Sequence, residues 1–595
     1  MESPTAIVVG AGVGGVAVAA RLAKKGYRVT VVEKNGEIGG RCSLLHDNGY
    51  RFDQGPSLLL MPSFFHQIFH DLGTTMSAEG ITLQKCTPNY RIWFPDHDTL
   101  DLSTDLSSMK SQIEAHEGPH GFEGFLRFLI ESGRHHNLSC EHVLHQNFPS
   151  IWSMLRLDLL LALPQLHPFE SIYTRVSRYF HSEKLRQAFT FASMYLGMSP
   201  FDAPATYSLL QYSELADGIW YPIGGFRTIL DALARISTRH NATYIMNTPV
   251  TSIELTPDQK SVTGVRLFTG ALFTADIVIV NADLTYAYNN LLPPAPYSKS
   301  LQRRATSCST ISFYWSLDTT VPALQAHNVF LAREYRNSFD AIFQHNHIPE
   351  EPSFYVHVPS RIDPSASPPD RDAVIVLVPV GHLPDPDPST PSPSPSPSSS
   401  SSYKPTSTKP QPQPQPQSKS EPSPPTENKS WETITTQTRT QILHIIHTQT
   451  NVNLSAHITH EKIETPFTWK EKYNLDRGAI LGLSHSFTNV MGFRPGIQHR
   501  GIGGLFFVGA STHPGTGVPV VLGGSGITAD AVGGYIENVK EVGGRRGGKS
   551  VMWWGGGLGW MMMLLVVVVV VVMKRLGFGW EDWAWGDVRK VVDEM

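Results

Sequence analysis

Gly10, Gly12 and Gly15 stand in the spacing G-x-G-x-x-G, with Gly14 beside them, between the apolar run TAIVV and an Ala-rich stretch of helical period. In such a turn the first glycine permits tight bending, the second lets the backbone approach a pyrophosphate, and the third lets helix and strand pack closely. Phosphate then meets the free N–H groups and positive dipole end of the helix. Glu33 closes a second apolar run, RVTVVE, where a carboxylate can accept hydrogen bonds from ribose hydroxyls. The chemistry these residues suit is dinucleotide binding. The elements that must position them are a strand, a helix and a second strand, a βαβ unit.

Two further stretches narrow the ligand. After Glu33 comes KNGEIGGRCS, in which Gly39 and Gly40 make a second small-residue turn and Arg41 offers a cation to the pyrophosphate. A nicotinamide enzyme does not need this extension. Near the other end, Gly504 to Ile536 reads GLFFVGASTHPGTGVPVVLGGSGITADAVGGYI: a strand, a Gly/Pro-rich loop and a helix. N–H groups at such a helix start can hold the pyrimidine end of a flavin and stabilise negative charge there. Both ends of the chain are thus expected to serve one cofactor.

These motifs, with FDQGPSLLLMP from Phe52, YPIGGF from Tyr221, NADL from Asn281 and above all FVGASTHPGTGVPVVLGGSG from Phe507, resemble the phytoene desaturases of bacterial and fungal type, within the flavin amine oxidase-like superfamily. The resemblance covers most of Thr5 to about Ile536. It implies an α/β fold: a Rossmann-like FAD-binding domain beside a mixed α+β substrate domain. It implies FAD as cofactor, phytoene and partly desaturated carotenoids as substrates, and stepwise insertion of conjugated double bonds, to neurosporene, lycopene or 3,4-didehydrolycopene. Carried over by position, Glu33 binds the adenosine ribose, Arg41 the pyrophosphate, and Val250 in NTPV the adenine edge. Gly509, Ala510, Val518 and Pro519 fall at the flavin ring. Many flavoproteins place an acid after the glycine equivalent to Gly509; here it is Ala510, so a carboxylate contact to the ribityl chain is not expected.

Desaturation removes a hydride and a proton from adjacent methylenes. No side chain can accept the hydride, so the flavin must. The allylic cation that develops is delocalised, so the protein mainly excludes water and places the reacting C–H; an obligatory strong base is not demanded. The segment IWSMLRLDLLLALPQLHPFESIY, from Ile151 to Tyr173, is expected to line a substrate tunnel or dip into lipid, or else to be an ordinary core helix. Arg156 and Tyr173 fall where desaturases carry polar residues proposed near the flavin, and His513 sits in the strongest motif; these three are the candidate catalytic residues. His66 and His70 have i,i+4 spacing without the Glu of H-E-x-x-H, and His345 and His347 lack a partner motif, so no metal site is expected. Cys42, Cys86, Cys140 and Cys308 lie far apart, with no disulfide framework or zinc spacing.

The whole chain has 595 residues with 48 Lys+Arg against 52 Asp+Glu, a balance that gives no reason to expect nucleic-acid binding. Charged residues make up 17%, below the ~25% of a typical soluble domain, which hints at contact with something apolar. The expected division is a discontinuous FAD domain over 1–75, 215–290 and 465–540, and a substrate domain over 76–214 and 291–464. A Pro/Ser-rich insertion over 383–430, bounded by the strand-like AVIVLVPV and the helix-like TQTRTQILHIIHTQT, reads as disordered. Residues 551–573 carry no charge; as a helix at ~1.5 Å per residue they reach roughly 34 Å, enough to cross a ~30 Å hydrocarbon core. A span and an anchor that only enters the bilayer both remain open there. The insertion and this tail look more fungal than bacterial.

The chain opens directly into a strand without a secretory leader pattern. The expected location is therefore membrane-anchored by the C-terminal segment, with the catalytic part facing the cytosol at the endoplasmic reticulum. The bilayer is the expected partner, and quinone or oxygen the electron acceptor. Alternatives on the same fold are an FAD amine oxidase, a carotenoid or retinoid isomerase or saturase, and a non-catalytic prenyl-binding escort protein.

Overall fold

The computed structural model describes residues 3–384 and 427–544. The Pro/Ser-rich insertion lies mostly outside the described residues, although the helix Glu427–Thr450 begins within its expected end. The segment 551–573 lies wholly outside them. Among the described residues, no helix is long and apolar enough to cross a membrane. By internal contacts the chain divides into a unit over Met1–Tyr535, which holds everything below, and a second over Ile536–Met595.

The nucleotide-binding layer is a five-stranded parallel sheet assembled from distant parts of the chain. Its order is Leu505–Phe507, Ile277–Val280, β1 (Thr5–Val9), β2 (Arg28–Val32) and Thr243–Ile245. Parallel sheets are covered on both faces, so their strands read as continuous apolar runs. IVIV at Ile277–Val280 is buried throughout, and β1 is buried from Ala6 onward. Between β1 and β2 runs α1 (Val13–Lys24), whose Ala-rich side packs against the helix Arg227–Arg239.

Only glycine fits the turn from β1 to α1. Gly10 has φ +96°, and a Cβ on Gly15 would lie 2.0 Å from the Gly10 carbonyl oxygen. Asn281, next after the Ile277–Val280 strand, donates from Nδ2 to that same carbonyl at 3.2 Å.

The second layer is a seven-stranded mixed sheet in the order Ile458–Glu464, Ser309–Leu317, Ala373–Val380, Phe354–His357, His327–Phe330, Tyr90–Trp93 and Thr99–Leu102. The expected strand at Ala373–Val380 is present and pairs antiparallel with Ser309–Leu317 along its full length. Alternate residues Ile311, Phe313 and Trp315 enter one core with Val374, Val376 and Val378, under Ile442 and Ile446 of the helix that follows the insertion. Helices and short turns between Leu106 and Asp217 complete this half.

Because a Cβ on Gly15 would overlap the backbone that it packs against, Gly15→Ala is expected to cost about 1–3 kcal/mol of stability. It should also lower flavin content per polypeptide. Calorimetry and visible absorbance of the purified variant check both.

Candidate functional site

One cavity of about 840 Å³ connects the two layers. Such a volume lies near the upper end of the range for small-molecule sites, ~300–1,000 Å³. Of the twelve residues expected at the cofactor, Gly15 packs behind the turn. Gly10, Gly12, Gly14, Glu33, Gly40, Arg41, Val250, Gly509, Ala510, Val518 and Pro519 all line this single space.

Glu33 ends β2 and is 6% exposed. Its carboxylate accepts from the Ala11 N–H at 2.7 Å and the Asn35 N–H at 2.9 Å, which fixes its oxygens beside the glycine turn. The second glycine turn is tied to the first, because the Gly39 N–H donates to the Ala11 carbonyl at 2.8 Å. Arg41 follows, half-buried, with its guanidinium donating to the Ile480 carbonyl. Burial pulls its pKa below the usual arginine range, and the nearby Asp283 opposes that. A desolvated cation at a small-residue turn suits a pyrophosphate better than a solvated one would. Val250 opens the strand Val250–Leu255 at the Glu33 end of the cavity.

Gly509, with φ +130°, leads from the Leu505–Phe507 strand into the loop that ends at the helix Val518–Gly544. That loop is held from behind by Arg494, which is 2% exposed. Its guanidinium donates to the carbonyls of Asn489 at 2.7 Å, Thr512 and Ser484 at 3.1 Å, Leu483 at 3.4 Å, and Ala510. Burial lowers its pKa to about 10. His485 adds a second tie, accepting the Thr516 N–H at Nε2 at 3.1 Å while lining the cavity.

The three expected catalytic residues do not converge on this space, and each has a physical reason. Arg156 precedes the helix Leu157–Leu166 at the surface, forked onto Asp158 and donating to Gln146 Oε1 at 3.1 Å. Tyr173 donates to Glu183 at 2.7 Å and packs at a tilt against Phe201, with ring centroids 4.5 Å apart. His513 belongs to the cofactor loop but points away from the cavity. Its Nε2–H donates to the Gln146 carbonyl at 2.7 Å, and its ring meets Phe148 edge-on. Burial holds its pKa at about 4, so it is neutral. None of the three lines the cavity.

His66, His70, His345 and His347 are exposed. Glu131, His135 and His167 lie close enough to share an ion. Both Glu131 oxygens, however, accept from Arg175, and His135 and His167 bond to each other at 3.0 Å.

Sequence reasoning missed Arg494, His485, Tyr195, Tyr355 and Gln54. Gln54 Oε1 is a hub that accepts from Ser43 at 2.5 Å, Tyr473 at 2.8 Å and Lys472 at 3.0 Å. It lies in the quoted FDQGPS stretch, so a signal was present; the others stand in no motif of chemical meaning.

The profile of the flavin containing amine oxidoreductases matches residues 13–383. A phytoene desaturase of Fusarium fujikuroi is 53% identical over 526 residues, 88% of each chain. A zeta-carotene-forming phytoene desaturase of Myxococcus xanthus is 37% identical over 519 residues, 87% of this chain and 91% of the relative. The chain belongs to the flavin-containing amine oxidoreductases, on their phytoene desaturase branch. An oxidoreductase from Methanosarcina mazei shares the fold with a TM-score of 0.54 at 16% identity, over 88% of this chain and all of that one.

FAD is the cofactor that this branch implies, and the site fits it. The two joined glycine turns leave room that any Cβ would fill, a buried carboxylate and a half-buried guanidinium sit at the ends of those turns, and a helix start closes the far side. In this flavoprotein Arg494→Met should leave five carbonyls without their donor, lose at least about 3 kcal/mol, and release FAD on gel filtration. Arg156→Gln and Tyr173→Phe should each leave the melting temperature and turnover near the wild-type values, as surface substitutions away from the cavity do.

Proposed function

We propose that this protein is an FAD-dependent phytoene desaturase that takes its substrate directly from a bilayer and inserts conjugated double bonds stepwise. The observation that carries this reading is the continuity of the one cavity. It runs from the glycine turns and Arg41 to a wall of Leu144, Leu163, Leu166, Leu210 and Met491. An apolar lining can hold a C40 chain but gives an ammonium substrate no carboxylate cage.

Bound there, FAD supplies the hydride acceptor. The chain's residues do the rest. The start of the helix Val518–Gly544 directs its first N–H groups at the cofactor end, where they favour negative charge. The apolar wall excludes water and holds the polyene extended, so that successive C–H pairs are presented at one place.

The helix Leu157–Leu166 supports the bilayer part of the reading. It lines the cavity with Leu163 and Leu166 and buries Leu159 and Ala162, yet leaves Leu157 72% and Leu161 66% exposed. Trp152 and Phe169, just before and after it, are also exposed, and Phe169 rests on Phe487 of the cavity wall. An apolar surface continuous with an apolar cavity offers a hydrocarbon a route that avoids water. In this proposal the segment 551–573 anchors the protein, with its catalytic part on the cytosolic side of the endoplasmic reticulum. A quinone or oxygen then reoxidises the flavin.

Flavin-loaded protein given phytoene in liposomes, with quinone or oxygen, should yield chromophores that absorb at progressively longer wavelength. Chromatography then counts the steps. Leu157→Glu with Leu161→Glu should lower turnover of liposomal phytoene while sparing turnover of detergent-dispersed phytoene. Equal loss on both substrates would refute the bilayer route.

A further inference from the structure

Removing a hydride from a hydrocarbon leaves a proton to dispose of, and the apolar cavity wall is interrupted by few groups able to take one. Tyr195 is one. Its hydroxyl donates to Tyr90 Oη at 2.8 Å, and Tyr90 in turn donates to Glu214 Oε1 at 2.8 Å. Tyr195 lines the cavity, whereas Tyr90 is 0% and Glu214 1% exposed. Among the described residues no other hydrogen bond reaches the Tyr195 oxygen, so its lone pairs are free to accept. The carbonyl of the next residue, Leu196, acts on the ring of His485, whose Nε2 holds the Thr516 N–H of the cofactor loop. Tyr195 thus stands beside the segment that carries the flavin end of the site.

We propose that Tyr195, Tyr90 and Glu214 form a proton relay that receives the proton lost at each desaturation. This rests on the desaturase reading and deepens it. With hydride gone to the flavin-level acceptor of that activity, the adjacent C–H bond breaks and its electron pair closes the new C=C bond. The proton passes to Tyr195 Oη as the Tyr195 proton passes to Tyr90 Oη and the Tyr90 proton passes to Glu214 Oε1. Three O–H bonds form, two O–H bonds and one C–H bond break, and the carboxylate ends neutral. The charge opened on the polyene is thereby cancelled inside the protein. Tyr195 is the catalytic residue; Tyr90 and Glu214 act through it. When product leaves, the proton returns to the cavity by the same route.

The acceptor is matched to the task. Burial raises the Glu214 pKa to about 8, opposed only by the Tyr90 hydrogen bond. A base whose pKa lies near the working pH combines availability with driving force. Other titratable groups ring the relay. His327 meets Tyr90 edge-on, bonds to Cys86 Sγ at 3.3 Å and stacks on His357. Burial lowers the pKa of both imidazoles and raises that of Cys86, so all three are neutral. Tyr355 acts on Tyr195, but its own oxygen is engaged by His327 Nδ1 at 2.7 Å and Ser57 Oγ at 2.8 Å. From the packed helix Gly121–Ser139 and its extension, His136 contacts Tyr212, and Cys140 feels Asp217. Lys85 lies beside Gly218.

The test compares wild type, Glu214→Gln, Tyr90→Phe and Tyr195→Phe as flavin-loaded proteins on liposomal phytoene, with turnover followed across pH. Wild-type turnover should rise through a limb centred near the Glu214 pKa of about 8, because only the carboxylate can accept. Each variant should lose that limb and drop on the order of 100-fold at its plateau, with flavin content and spectrum unchanged. Tyr90→Phe keeps the ring that packs on Phe191 and His327, so it serves if Glu214→Gln folds poorly.

Stability gives a readout without turnover. The folded-state pKa of Glu214 is raised above its unfolded value of about 4.5, so the native state binds the extra proton and wild-type stability should fall as pH rises from there to about 8. Glu214→Gln should flatten that slope. A variant set that keeps the wild-type limb and plateau overturns the relay. So does loss of the limb in Tyr355→Phe with its retention in Glu214→Gln, which would assign the proton to the His327 arm. A wild type that binds FAD and leaves phytoene unchanged overturns the desaturase reading itself, and the relay with it.

Discussion

The parallel pairing of Thr5–Val9 with Ile277–Val280 is the contact on which the rest of the molecule depends. It brings Asn281 onto the Gly10 carbonyl and so places the end of one strand against the turn of another. Ile277–Val280 then pairs on its other edge with Leu505–Phe507, which delivers Gly509 and the cofactor loop to the same side. Parallel strands cannot be joined by a tight turn, and the long connections they require are free to carry other structure. Here those connections carry most of the substrate half. A dinucleotide site and an apolar chamber are therefore built from alternating stretches of one chain, and neither is complete without the other.

The cavity that results has two chemical ends, and the protein controls each by different means. At the phosphate end it uses backbone: two glycine turns tied by the bond from Gly39 to Ala11, with Glu33 fixed by two N–H groups. Side chains there are few because the ligand needs the backbone itself. At the flavin end the loop has little hydrophobic content of its own and is fastened from outside by Arg494, which satisfies five carbonyls at once. A buried cation with so many acceptors is stabilised where a lone one would not be. At the hydrocarbon end the wall is aliphatic. Among the polar groups that break it, Tyr195, Tyr355 and Ser57 are rooted in hydrogen-bonded chains behind it.

The glycine turn was legible in the sequence because it is local: the turn from β1 to α1 is dictated by residues within a few positions of one another, and each glycine has its own steric reason. The strand Ala373–Val380 was legible for the same reason, as an unbroken apolar run. The directions taken by Arg156, Tyr173 and His513 were not. Arg156 looked notable as a charge in an apolar stretch, but it stands at a surface helix start and pairs with Asp158, the acid of the first turn two residues away. His513 stood in the most distinctive motif, yet its imidazole turns back to brace Gln146 and Phe148. A motif fixes which residue is present, while the direction of the side chain is set by what packs around it.

The sequence by itself determined the fold class, the dinucleotide turn and residues that line the cavity beside it, since spacing along the chain and the sterics of glycine suffice for these. The tertiary structure decided which polar groups break the cavity wall and which stand buried behind them. Tyr90, Tyr195, Glu214 and His327 come from four separate segments, and no spacing relates them. They meet because two sheets and a set of helices close over one cavity, and burial there, through the loss of water around each group, gives an otherwise ordinary glutamate its altered acidity.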